Sequence, residues 1–148
     1  MKNNDYLNNI IMDLTDVLWE EHGTGAQYRT TLVGTKYFKN KYGTKLIKEN
    51  WQDTLHAVVD VLKDEGIIND ATYDKQDFVL TIKFNSCVHL ETEKQLVENG
   101  INIISCPCSN VVMYFIDKVV GKHSELVKVT IENNECVATI CIMGSTSA

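Results

Sequence analysis

Apolar side chains recur along this chain at two spacings, and the points where one gives way to the other limit what it can fold into. Up to residue 66 the spacing is helical; in FVLTIKF, residues 78–84, it becomes alternate, with Phe78, Leu80, Ile82 and Phe84 on one side. Alternation sends every second side chain to the same face, so this segment reads as a half-buried strand. The preceding IINDATY, across the polar turn DKQD, is its hairpin partner. A second pair, ELVKVTIE and ECVATICIM, meets at Asn133-Asn134, where asparagine tolerates the positive φ of a tight turn. Two hairpins in one small chain most simply join as a four-stranded antiparallel sheet with helices packed on one face.

Three helical segments precede the first hairpin. DYLNNIIMDLTDVLWEEHG carries Leu7, Ile10, Ile11, Leu14, Val17 and Leu18 on one stripe, with Asn4 or Asp5 as cap and Gly23 beyond the end. GAQYRTTLVGTKYFKNKYG repeats Tyr28, Leu32, Val33, Tyr37 and Phe38. Gly34 inside it costs about 1 kcal/mol relative to alanine, which points to close packing there. NWQDTLHAVVDVLKDEG has Asn50 as cap, Trp51, Leu55, Val58, Val59 and Leu62 as its buried face, and Gly66 as stop. Between the hairpins lie LETEKQLVENG and SNVVMYFIDKVVG, the latter with Ser109 as cap. The expected fold is α+β in the order αααββααββ, one domain over residues 1–148 with a flexible tail at 143–148.

A chain of 148 residues, 44% hydrophobic and 23% charged, is long enough to bury a core without disulfides. Its net charge of −6, with Lys and Arg scattered singly or in pairs, argues against a nucleic-acid groove. The N-terminus MKNNDYLNNIIMDL lacks the pattern of a secretory signal, and no apolar run approaches the ~18 residues of a membrane span. A cytoplasmic setting is expected. There, five cysteines leave metal binding, thiol chemistry or plain burial as their uses.

Two of the five sit in SCPCSN, residues 105–110, around the only proline. Cys87-Val88-His89 with Cys106-Pro107-Cys108 offers three thiolates and an imidazole, a set that zinc accepts, though each pair is separated by one residue rather than the two to four of common zinc motifs. Alternatively, a helix N-terminus lowers a thiol pKa and makes Cys106 or Cys108 a nucleophile or redox sensor. The blandest reading is a proline-stiffened joint whose thiols pack in the core. Cys136 and Cys141 are five apart on a strand and point to opposite faces, so at most one joins a site. His22, His56 and His123 have no neighbours that specify a metal.

In its second half the chain resembles the 4-vinyl reductase family of small hydrocarbon-binding domains, whose helix and sheet plan is shared with subunits of the trafficking complex TRAPP. LTIKFNSC, CPCSNVVMYFIDKVVG and ECVATICI carry the resemblance, and YRTTLVG extends it into the first half. It implies a domain that holds a small apolar molecule between helices and sheet, often as a sensor and a homodimer. It also implies a zinc site, with the entry cysteine on Cys106 or Cys108, the glutamate on Glu125 and the last cysteine on Cys136. Lys128 stands where the remaining thiolate would be, and an ammonium does not replace it.

The sequence nominates no enzyme, without excluding one: it has no Gly-x-Ser-x-Gly elbow, no phosphate-binding Gly-rich loop and no His-Glu-x-x-His helix. The expected function is non-catalytic binding or sensing of a small hydrophobic or aromatic ligand, with Tyr28, Leu32, Tyr37, Trp51, Leu55, Phe84, Met113 and Phe115 as lining. A homodimer through the first two helices is expected, with any signal passed to a separate protein or across the dimer interface. One alternative is a metal or thiol protein centred on Cys87, His89, Cys106 and Cys108, with zinc as the cofactor. Another is a dimeric scaffold or assembly factor without ligand.

Overall fold

In the computed structural model, which describes residues 2–25 and 30–142, four strands form one antiparallel sheet. They are β1 (Asp70–Gln76), β2 (Val79–Asn85), β3 (Glu125–Glu132) and β4 (Glu135–Cys141), in the order β1-β2-β4-β3, so the two hairpins join along β2 and β4. Across that seam Leu80 faces Ile140, Ile82 faces Ala138 and Phe84 faces Cys136, and all six are buried. Alternation along both central strands therefore gives the sheet one apolar face.

Among the described residues, five α-helices complete the αααββααββ order: α1 (Lys2–His22), α2 (Thr35–Tyr42), α3 (Trp51–Asp64), α4 (Leu90–Glu98) and α5 (Pro107–Val120). Helices α3 and α5 pack together. Leu55, Val58 and Leu62 from α3 join Val112, Phe115 and Ile116 from α5 in one core with the apolar face of the sheet. The start of α3 is fixed as expected: the Asp53 backbone N–H donates to the Asn50 side chain at 2.7 Å.

Three local expectations are corrected. Helix α5 begins at Pro107 with Cys106 as its cap, two residues before Ser109, because proline's fixed φ suits the first helical position and the missing N–H has no helical partner there. The segment around Gly34 is not one helix. Gly34 sits at φ 88, in the left-handed region, between a 3-10 turn at Thr30–Leu32 and the start of α2. The first hairpin turns at Asp77-Phe78, one step later than DKQD: Gln76 pairs with Val79, and Asp77 takes φ 53. As a result Phe78 leaves the strand and is half exposed. Polar DKQ is compatible with β1 because β1 is an edge strand.

The second hairpin turns at Asn133-Asn134 with φ 51 and 63, the backbone of a type I′ turn. No helix among the described residues is long and apolar enough to cross a membrane. The expected tail at 143–148 and the lining residue Tyr28 lie outside the described residues.

Candidate ligand cavity and thiol cluster

Around the first turns of α4 and α5, the helices do not close completely. A cavity of about 520 Å³ lies among α1, α2, α4 and α5, lined by Leu14 and Leu18, Phe38, Leu96, Ile104 and Val111 among other apolar side chains. Its polar groups come mainly from the first turns of α4 and α5: His89, Thr92, Glu93 and Cys108. Helix α1 forms one wall, yet Leu14 is 59% exposed, so this wall is thin and the cavity communicates with solvent.

Of the eight lining residues expected from sequence, Tyr37 lies on the cavity, at its exposed rim, its hydroxyl donating to Glu65 Oε2 at 3.1 Å. Trp51, Leu55, Phe84, Met113 and Phe115 belong to the continuous core, and Leu32 is exposed. The void lies beside the N-terminal part of α5. Cys108 and Val111 belong to the core and also line the cavity, whereas Val112, Phe115 and Ile116 further along join the core without reaching it. Sequence pattern marks α5 as apolar nearly all round but not which side is left unfilled. The stripe on α1 is the signal that was available, since Ile11, Leu14 and Leu18 all line the cavity.

The cysteines divide into two groups. Cys87, His89 and Cys108 bring their ligand atoms within 4.8 Å of one another, with 3.6 Å between the two sulfurs. Glu93, Cys106 and Cys136 form the second, with 3.9 Å between sulfurs. Cys106 and Cys108 were expected to act together. Cys106 is the cap of α5, with extended backbone, while Cys108 lies inside the first turn, and each joins a different group. Cys136 lies on the buried face of β4 while Cys141 is only half buried, as strand parity requires. Glu125 and Lys128 are exposed on β3 and belong to neither group; the carboxylate beside Cys106 and Cys136 is Glu93.

Glu93 is 3% exposed, and neither carboxylate oxygen accepts a hydrogen bond of ordinary geometry. Burial pushes its carboxyl up to about 7, against a smaller downward pull from the Cys136 thiol. His89 is lowered by burial and so favours the neutral imidazole a metal needs. The hydrogen bond between Cys108 and Cys87 holds the Cys87 thiol below its usual range and pushes Cys108 up, with burial adding to the rise. Cys136 is pushed up by its contact with Cys106 and by burial. At Cys108, the hydrogen bond with Cys87 and burial both raise the thiol, which opposes the nucleophile reading there. A buried carboxylate facing two thiols, with no hydrogen-bond donor of normal strength beside it, fits a thiophilic divalent cation.

A family model described as "Putative rubredoxin C-terminal domain" matches residues 7–143. Among solved structures, the crystal structure of the phenol-responsive sensory domain of the transcription activator PoxR with phenol has a similar fold. It is 8% identical, with 93% of this chain and 75% of that chain covered at a TM-score of 0.51. No curated protein sequence matches this chain.

Proposed function

The chain belongs to the rubredoxin C-terminal domain family, and on that footing we propose that it is a non-catalytic binding or sensor domain, of the 4-vinyl reductase type, that takes one small apolar or aromatic molecule. The observation that carries this reading is the apolar cavity of about 520 Å³ among α1, α2, α4 and α5. Its size lies within the roughly 300–1,000 Å³ common for small-molecule sites, and a few polar groups on an apolar lining suit orientation of a single ligand. Affinity would come from burial, at about 0.8 kcal/mol per CH₂. The likeness to a phenol-responsive domain supports the fold; the ligand class rests on the lining itself.

An environment-sensitive apolar dye tests the reading. One dye per chain is expected, with affinity lowered about 10-fold or more by Val111→Trp or Leu96→Trp, each of which adds bulk inside the cavity. Phe78→Ala, at the exposed hairpin, serves as the control. Equal dye binding in all three folded variants overturns the cavity as the site.

A second copy of this chain is the proposed partner. Leu7, Ile10, Leu14 and Val17 are spaced 3-4-3 along α1 and exposed, the seam of a two-helix contact. Because Leu14 also lines the cavity, occupancy and pairing would be coupled through one helix, and any signal would pass across this dimer interface or to a separate protein. The five thiols suit a reducing compartment such as the cytoplasm. A metal or thiol protein is the second reading, favoured by the two groups of converging ligand atoms; elemental analysis of the protein as isolated tests it.

A further inference from the structure

We propose that Cys87, His89 and Cys108 form a three-ligand metal site for zinc or another thiophilic divalent ion, with a fourth position open to the cavity that takes the anionic oxygen or sulfur of an otherwise apolar ligand. The ligand part rests on the cavity reading above; the metal part does not.

The two sulfurs are 3.6 Å apart. Two thiolates on one tetrahedral zinc, each at ~2.3 Å, stand about 3.8 Å apart, so the pair already spans one edge of that polyhedron. Both cysteines are free thiols. The loop carrying Cys87 and His89 is pinned by backbone bonds from Val88 N–H to the Ile67 carbonyl at 2.9 Å and from Leu90 N–H to the Cys87 carbonyl at 3.0 Å. The His89 N–H also points at Cys87 Sγ, at 3.4 Å. On the other side, Asn110 holds the first turn of α5 by donating to the Val33 carbonyl at 3.0 Å and to Ser105 Oγ at 2.8 Å. All three ligands therefore come from braced backbone, which is what a preformed site requires.

Three protein ligands with one open vertex is the pattern of zinc sites that bind an exchangeable partner, whereas purely structural sites close with four. Among the described residues this group has no fourth ligand, since Glu93 groups instead with Cys106 and Cys136. His89 and Cys108 both line the cavity. A metal held there would face the space reserved for the apolar ligand. A thiol or phenol entering that space would lose its proton to solvent as the metal–sulfur or metal–oxygen bond forms, with no electron transferred.

The test is cobalt(II) titration of the Glu93→Gln/Cys106→Ser variant, which removes the second group. One equivalent of tetrahedral cobalt with a thiolate charge-transfer band is expected. Adding His89→Ala, which leaves both sulfurs in place at a half-buried position, should weaken cobalt binding more than about 100-fold, the upper end of the effect of merely supporting residues. Cys87→Ser in the same background should remove part of the charge-transfer intensity, and folding of each variant is checked by circular dichroism. Absence of tetrahedral cobalt in the folded Glu93→Gln/Cys106→Ser protein, or unchanged affinity with His89→Ala, overturns the site. With cobalt bound, phenylmethanethiol should shift the cobalt spectrum while toluene, its apolar counterpart, should not. A spectrum indifferent to both, despite saturation of the cavity by the thiol, overturns the open position. Dye binding to the metal-free protein is measured separately, so loss of the metal site and loss of the cavity give different results.

Discussion

Gly34 abuts Pro107 so closely that a Cβ on residue 34 would lie 3.1 Å from the proline Cβ. This contact joins the entry of α2 to the first turn of α5, the turn that presents Cys106 and Cys108 to their separate groups. Gly34 also has φ 88, a conformation that costs any other residue strain. Gly34→Ala therefore meets both penalties. It should lower stability by about 1–3 kcal/mol in urea denaturation and weaken dye binding in the native protein. A variant as stable as the parent would show that α2 and α5 are not packed in this way.

Glu93 should make stability of the metal-free protein fall as pH rises. Its folded pKa is raised to about 7 from an ordinary value of 4.5, so the folded state binds the proton more tightly than the unfolded state. The stabilisation is complete below about 4.5 and is lost between there and about 7, amounting to roughly 3 kcal/mol at most. The thiols of Cys106 and Cys136 lie beside this carboxyl, and burial together with the contact to Cys106 raises Cys136, so Cys136 stays protonated over that range. Glu93→Gln should flatten that part of the stability profile, measured by denaturation at pH 5 and pH 8 in the presence of a chelator. A slope that survives the substitution assigns it to another group.

Leu7→Glu/Val17→Glu should convert a dimer to a monomer in light scattering, because two charges would then face the same seam from each copy. The helix content should hold, since both positions are more than half exposed. A parent protein that is monomeric at high concentration would remove this seam as an interface.

The Asn133-Asn134 turn gives a fourth expectation. Both residues are at positive φ, and glycine reaches this region at less cost than asparagine at the second position of a type I′ turn. Asn134→Gly should raise stability by several tenths of a kcal/mol up to about 1 kcal/mol in thermal denaturation. A loss would mean that the Asn134 side chain contributes to the turn.

The α+β order, the four strands and the buried faces of α3 and β2 were legible in sequence because each depends on local periodicity: Leu55, Val58 and Leu62 at helical spacing, Leu80, Ile82 and Phe84 at alternate spacing. The paired asparagines marked their turn for the same reason. Tertiary structure alone decided where the helices fail to meet, since a void is a relation among four helices and leaves no periodic trace in any one of them. It also decided that Cys108 faces Cys87 while Cys106 faces Cys136, and that Glu93 rather than Glu125 is drawn in beside them. Residues distant along the chain become neighbours only through tertiary packing, and spacing along the sequence carries no information about that distance.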